Sequence, residues 1–341
     1  MDFNSFVYDI SQMITKQGII NENIVIIGTQ QHSSTMWRNI LPGVDVGSNS
    51  KFMFVHQAIR TVRLGILHKW CILLCNEGYS SAQQWAIRQA FDEIKSNDHK
   101  KVVIDFQTIS SPQDIISYIN EAKKRKHKIG SIYFYSHGVV KKILPWMKGF
   151  RERDVFDEEV AKDIHPDSFT NNAKIYSYAC RTGLGNPKID QDRNKYYVYY
   201  TGMWSKISIE PMPLKLEESL AQKMANASHA LVYAFLRRTD YSNTLFTSDE
   251  YDFLDACDAS RMHKKAKRQP NRYKHIIEKK RLTLAEFNRF NRLNTIRNSQ
   301  LPIDGGIFRK TGALHSVSAA ETPKHTSSSM FVFRLQKDEK K

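Results

Sequence analysis

The chain has 341 residues, of which 41% are hydrophobic, and its Lys and Arg outnumber its Asp and Glu to give a net charge of +16. This length and apolar content suffice for one large or two ordinary globular domains and exclude an intrinsically disordered chain. Four cysteines are too few for a disulfide scaffold of this size, so we expect reduced thiols. The first twenty residues do not resemble a secretory signal, and no apolar run approaches the roughly 18 residues of a membrane helix. We expect a soluble, cytoplasmic protein, with signal-independent export as the alternative.

Short apolar runs alternate with amphipathic stretches through the middle of the chain. The predicted strands are Lys69–Cys75, Lys101–Phe106, Gly130–Ser136, Lys174–Ala179 and His229–Leu236. The predicted helices are Ser80–Ser96, a helix that begins at Pro112, and Leu214–Ser228. Ser111 is expected to cap the second of these helices, which is predicted to end in the basic run 123–128.

This alternation of strands and helices predicts a parallel sheet with helices on both faces, a three-layer α/β/α sandwich. We assign the core to residues 69–245. Residues 1–68, with a possible helix at 3–16 and a strand at Asn23–Gly28, form either an accessory unit or extra layers on the same sheet. Residues 246–341 form a basic helical segment and an extension, with one strand-like piece at Met330–Leu335.

The positive charge is concentrated in residues 261–293, which carry 12 Lys and Arg against Glu278 and Glu286. A helix is predicted from about Asn271 to Asn294. Aromatic residues between the cations permit contact with nucleic acid, whereas the apolar spacing favours an amphipathic helix packed on the protein. The partner of this segment is therefore predicted to be either an acidic protein or a nucleic acid.

Two predicted strands end beside residues whose side chains can take part in catalysis. One is followed by His137 and Gly138, and the other ends at Cys180. Functional groups of an open parallel sheet collect at the carboxyl ends of its strands, so neighbouring strands would bring this thiol and imidazole together. A thiolate nucleophile with a histidine as general base, and an oxyanion site from the N–H groups of Gly138 and Cys180, would follow. The alternative is a buried, inert cysteine and a structural histidine.

The segments SIYFYSHG (131–138) and KIYSYACRTG (174–183) resemble the caspase-like cysteine peptidases, the superfamily of caspases, legumains, gingipains and separases. In these proteins one hydrophobic strand precedes His-Gly and a second ends in Ala-Cys. The caspase nucleophile lies in Gln-Ala-Cys-Arg-Gly, whereas Tyr178 replaces the Gln here and Thr182 is an additional residue before the glycine. The resemblance covers residues 69–236.

The resemblance implies a hydrolase that cleaves peptide bonds through a thioester acyl-enzyme, without metal or organic cofactor. Cys180 would be the nucleophile, His137 the catalytic base and acid, and the amides of Gly138 and Cys180 the oxyanion donors. An inactive scaffold or binding module of the same fold is the alternative function.

Substrate-binding residues are less specified by the sequence. Arg181 and Arg237 would suit a substrate with an acidic side chain before the cleaved bond, whereas Asp190 and Asp192 would suit a basic one. Each of these could equally be a solvated surface charge. The loop 184–213 is where caspases are cleaved during activation, so self-processing there is a further hypothesis. His68, Cys71 and Cys75 lack a second ligand pair at zinc spacing, so no metal site is predicted.

Overall fold

The computed structural model describes residues 20–29, 52–65, 69–97, 102–145, 154–191, 197–200, 207–210, 213–241, 244–261, 283–298, 311–320, 323 and 326–336. Its strands are β1 (Ile20–Ile27), β2 (Lys69–Cys75), β3 (Val103–Ile109), β4 (His127–Tyr135), β5 (His137–Val139), β6 (Lys142–Leu144), β7 (Phe169–Ser177), β8 (Tyr197–Tyr200), β9 (Ile207–Glu210), β10 (Leu231–Ala234), β11 (Thr239–Asp240), β12 (Ser318–Ala319) and β13 (Phe331–Phe333). Its helices are α1 (Met53–Leu64), α2 (Ser81–Asn97), α3 (Pro112–Asn120), α4 (Glu158–Lys162), α5 (Lys188–Gln191), α6 (Leu220–Ser228), α7 (Ser248–Arg261) and α8 (Leu284–Asn298).

A seven-stranded sheet forms the centre of the molecule, in the order β13-β10-β7-β4-β1-β2-β3. Every neighbouring pair is parallel except β10 and the edge strand β13, which are antiparallel. Strand β1 lies between β2 and β4, so part of the first 68 residues belongs to this sheet. The strand predicted at 330–335 is β13.

Helices cover the two faces of the sheet, which makes the three-layer α/β/α architecture. Residues Ile24 and Ile26 of β1 pack in the same core cluster as residues of α3, α4 and α6. Residues Val25 and Ile27 face the opposite way, into a cluster with α1 and α2. Because successive side chains of a strand point to opposite faces, a strand between two helical layers must be apolar throughout. The predicted fold class is confirmed.

The start of α3 follows the sequence pattern, but its end does not. The Ser111 side chain accepts from Asp114 N–H, Asp114 accepts from the Ser111 amide in return, and Pro112 is the first helical residue. The helix stops at Asn120, so the prediction that it ends in the basic run 123–128 was wrong. Beyond that end the chain turns at Lys126, whose backbone is left-handed with φ of 59°, and Arg125 lies outside the helix with its guanidinium 3.2 Å from the carboxylate of buried Glu22.

A separate apolar cluster joins α7 and α8, through residues that include Leu254, Phe290 and Leu293. The structure begins α8 at Leu284, and residues 271–282 of the predicted 271–294 helix lie outside the described residues. The possible helix at 3–16 also lies outside them. Among the described residues, no helix combines the length and apolar character needed to cross a membrane.

Candidate active site

His137 and Cys180 follow two neighbouring strands of the sheet at equivalent positions. Strands β4 and β7 are parallel partners in which Phe134 lies opposite Ser177, and the Tyr178 amide donates to Phe134 O at 3.0 Å. His137 comes three residues after Phe134, and Cys180 comes three residues after Ser177. Because parallel strands in register end at one edge, the imidazole-bearing and thiol-bearing residues leave the sheet side by side.

Gly138 lies directly against the backbone of Cys180. A β-carbon at position 138 would be 2.9 Å from Cys180 O, 3.0 Å from Cys180 N and 2.8 Å from the Ala179 β-carbon. Real β-carbons do not approach backbone atoms so closely, so only glycine fits here without a shift of the chain. The His-Gly segment and the Ala-Cys segment are therefore in contact through their main chains.

The Gly138 amide points away from the hairpin to which the residue belongs. Gly138 lies opposite Ile143 in the antiparallel pair β5–β6. Ile143, however, exchanges both of its backbone hydrogen bonds with Phe156, at 2.9 and 3.0 Å. Opposed residues in antiparallel strands alternate between bonded and non-bonded pairs, so Gly138 directs its N–H and C=O away from β6. The Gly138 amide is therefore not used within the β5–β6 hairpin, and its role as an oxyanion donor with the Cys180 amide stays a prediction.

Aromatic rings surround the histidine. The Phe54 ring of α1 meets the His137 imidazole edge-on at a centroid distance of 5.1 Å, and meets the Tyr241 ring in the same way at 5.2 Å. The Tyr241 hydroxyl donates to Tyr178 O at 3.1 Å. Burial, with the nearby Tyr135 and Cys180, raises the pKa of Tyr241 well above its ordinary value, so this phenol stays a neutral donor. Packing of this kind restricts the orientations open to the imidazole.

The Cys180 thiol is half-buried and contacts Thr239, which follows β10 along the chain. The Thr239 amide donates to Cys180 Sγ at 3.2 Å, and its Oγ1 lies 3.1 Å from the same sulfur. Sequence reasoning missed Thr239. The signal was present, because β10 is a third parallel strand and the residues after it reach the same edge of the sheet.

The other thiols have different environments. Cys71 and Cys75 of β2 are fully buried. Burial raises the pKa of Cys71 to about 12 and that of Cys75 well above its usual range. Cys257 is also buried, against α8. The interpretation of an inert, apolar thiol therefore describes these three cysteines, and Cys180 is the most accessible of the four.

The candidate substrate-binding residues occupy varied positions. Arg181 is only 4% exposed, and its Nη1 donates to Ile189 O at 3.4 Å, so the alternative of a solvated charge was wrong for this residue. Arg237 is half-buried and its Nε donates to Thr326 O at 2.8 Å. Asp190 lies in α5, but its side chain is not among those that the structure describes. Asp192 lies outside the described residues. A role for any of them in substrate binding stays a prediction.

The additional residue after the nucleophile turns into the protein interior. Thr182 is fully buried, and its Oγ1 lies 2.8 Å from Ser177 Oγ and donates to Ala179 O at 3.4 Å. Arg181 has a left-handed backbone with φ of 58°, which turns the chain directly after Cys180. The additional residue is thus accommodated in the protein interior, against the end of β7.

No protein-family model matches the chain, and comparisons with curated proteins and with solved structures give no significant match. The likeness to caspase-like peptidases therefore rests on the two motifs and on the strand context in which they lie. Among the described residues, no group of three or more His, Cys, Asp and Glu side chains is placed to hold a metal ion.

Proposed function

We propose that the protein is a caspase-like cysteine endopeptidase in which Cys180 is the nucleophile and His137 is the general acid and base. The observation that carries this proposal is the register of β4 and β7. It sets the two residues at equivalent positions past neighbouring strands, with Gly138 packed on the Cys180 backbone. A chance pair of a structural histidine and an inert thiol has no need for such a glycine contact.

The proposed reaction has two stages. The Cys180 thiolate attacks the carbonyl carbon of the peptide bond, and the negative charge that forms on oxygen is stabilised by the amides of Gly138 and Cys180. His137 then gives a proton to the departing amide nitrogen as the C–N bond breaks, which leaves a thioester. In the second stage His137 takes a proton from water, the resulting hydroxide attacks the thioester carbon, and the C–S bond breaks. This restores the Cys180 thiolate beside protonated His137, and the carboxylic acid product loses its proton to solvent. The only reactants are the peptide and one water molecule.

Cys180→Ala tests this proposal, with Cys75→Ala as its matched control. Both variants replace a thiol near the carboxyl end of a parallel strand of the same sheet, and both are small changes of volume. New peptide termini are to be counted by mass spectrometry after incubation of each variant with a proteome-derived peptide library. We expect Cys180→Ala to generate no termini above background and Cys75→Ala to cleave as the parent does.

Two results would contradict the proposal. One is cleavage by Cys180→Ala at the rate of the parent, which would move the chemistry elsewhere. The other is an intact, folded parent that generates no new termini from the library, which would favour the inactive scaffold. In the first case the same data would still report the cleavage-site preference of whichever site is responsible.

A further inference from the structure

The sulfur of Cys180 receives two contacts from a single residue outside both motifs. The Thr239 amide donates to Sγ at 3.2 Å, and Thr239 Oγ1 lies 3.1 Å from it. We propose that Thr239 stabilises the Cys180 thiolate with these two donors, and that the pairing of β11 with β12 sets its position. The inference rests on the proposed function only in taking Cys180 as the reacting group.

The direction of the Thr239 amide follows from a ladder of hydrogen bonds behind the thiol. The Gly183 amide donates to Phe235 O at 3.2 Å, and the Arg181 amide donates to Arg237 O at 3.1 Å. Thr239 comes two residues after Arg237. There the backbone amide donates to the Cys180 sulfur, where a regular ladder would have a carbonyl acceptor. The chain after β10 therefore runs along the chain after β7, with the thiol at the next step of the ladder.

The opposite edge of β11 carries the complementary bonds. Thr239 lies opposite Ala319, and the Ala320 amide donates to Arg238 O at 2.8 Å. Bonded and non-bonded pairs alternate along antiparallel strands, so the 239–319 pair next to this bond is a non-bonded one. Its N–H must point away from β12, which is where the sulfur lies.

The segment that supplies β12 is itself fixed by main-chain bonds to other parts of the fold. We name residues 311–320 the C-terminal strap. Its bonds to α1 and to the segment before α7 are Ala313 N to His56 O, Leu314 N to Thr244 O and Gln57 Nε2 to His315 O, each 2.8 Å. The strap therefore holds β11, and with it Thr239, from the side opposite the thiol.

The Thr239 hydroxyl must be a hydrogen-bond donor when the Cys180 sulfur is a thiolate. A thiolate has no proton and can only accept, so Thr239 Oγ1 must then be the donor, in addition to the amide. Donors to the charged form of a group favour that form. The other titratable or charged side chains on the elements around this thiol are His137, Tyr178, Arg181, Arg237, Arg238, Asp240 and Tyr241.

The test is the pH profile of Cys180 alkylation in three variants of the full chain. Thr239→Val removes the hydroxyl and keeps the shape and the amide, whereas Thr239→Ser keeps both donors. Thr182→Val is the matched control, because it deletes a hydroxyl in the segment next to Cys180 that bonds Ser177 and Ala179 rather than the sulfur. Iodoacetamide labelling of the Cys180 peptide is to be followed by mass spectrometry from pH 5 to 10, with thermal unfolding to verify that each variant is folded.

We expect the midpoint of the profile to rise by about 0.5 to 1 pH unit in Thr239→Val, because hydrogen bonds to charged groups are stronger than neutral ones. Thr239→Ser and Thr182→Val should both keep the midpoint of the parent. A structural effect of lost packing would lower the unfolding temperature without moving this midpoint. If Thr239→Val does not fold, Ala320→Pro takes its place, because it removes the N–H that donates to Arg238 O, and it should show a raised midpoint.

Coincident midpoints for the parent and Thr239→Val would overturn the inference. An equal rise in Thr239→Ser and Thr239→Val would do the same, because the serine keeps the donor. The labelling needs no substrate, so the two proposals fail separately. A raised midpoint in a protein that cleaves no peptide would support the role of Thr239 and contradict the peptidase.

Discussion

Two strands of the same parallel sheet lead to a cysteine, and the two cysteines differ in nearly every property. Cys75 is the last residue of β2 and lies opposite Ile109 of β3 in the ladder, with its side chain in the core. Cys180 lies three residues beyond the end of β7, half-buried, with two donors from Thr239 on its sulfur. Position at the carboxyl edge of a sheet is shared, so it does not by itself make a reactive thiol.

The difference comes from where the chain leaves the sheet. In β2 the cysteine is still part of the strand, and the alternation of side chains buries it with Cys71 and Leu73 on one face. After β7 the chain continues for three residues and then turns at Arg181, whose φ is 58°. That turn gives Cys180 access to solvent and to the segments that follow β4 and β10. A cysteine beyond the strand end meets other strand ends, whereas one within the strand meets the core.

The sharpest test of this comparison is the selectivity of alkylation in the native parent. Burial raises the pKa of Cys71 from its ordinary value of 9.0 to about 12, which lowers its ionised fraction near neutral pH about 1000-fold. We expect iodoacetamide at pH 7.5 to label Cys180 on the order of 1000 times faster than Cys71, and Cys75, which is buried as fully, also to be labelled much more slowly than Cys180. In denaturant, where burial is lost, the four rates should converge to within about tenfold. Peptide mapping over time measures both; native labelling of Cys75 as fast as that of Cys180 would remove the distinction.

A second test moves the two motifs apart. In Gly138→Ala the new β-carbon would be 2.9 Å from Cys180 O, so the hairpin must shift away from Cys180. We expect kcat/KM to fall about 100-fold, the cost of a lost oxyanion donor. Gly130→Ala is the control, because a β-carbon there would meet no atom closer than Asn23 Oδ1, at an ordinary 3.5 Å. Equal activity of the two alanine variants would show that the close approach of Gly138 has no part in the chemistry.

The smallest expected effect comes from the strap, and two adjacent alanines permit a matched pair. Ala320→Pro removes the N–H that donates to Arg238 O, whereas Ala319 lies in the non-bonded pair and should tolerate proline. Loss of one ladder bond should release β11 enough to slow Cys180 alkylation at pH 7 by about fivefold to tenfold in Ala320→Pro. Ala319→Pro should stay within about twofold of the parent. Identical rates in both variants would mean that the strap does not hold Thr239 in place.

Much of the architecture could be predicted because burial leaves a local pattern. Strand β2 has the predicted bounds. A strand between two helical layers is apolar at successive positions, whereas a strand with one exposed face alternates apolar and polar residues, so the two patterns differ in the sequence. The Ser111 cap and Pro112 follow from side-chain chemistry within four residues. The equivalent positions of His137 and Cys180 could be expected as soon as β4 and β7 were taken as neighbours.

The remaining features depend on contacts between distant parts of the chain, which local patterns do not record. Nothing near residues 20–27 indicates that β1 lies inside the sheet between β4 and β2, because that depends on which strands pair with it. Thr239 was missed because its contact depends on a ladder between the ends of β7 and β10. The predicted end of α3 was wrong because the basic run does not record where the chain turns into β4, at the left-handed residue Lys126.

The strand order has a consequence for the time at which the thiol acquires its surroundings. From β1 the sheet extends to one side through β2 and β3 and to the other through β4, β7 and β10, in the order in which a ribosome makes them. The strap and β13 are the final additions, and β13 can pair with β10 only after the strap has passed β11. Domains fold as synthesis proceeds, at roughly 5–20 residues per second, so Cys180 would be made well before the residues that position Thr239. A growing chain would thus carry Cys180 for several seconds before the residues that hold Thr239 against its sulfur have been made.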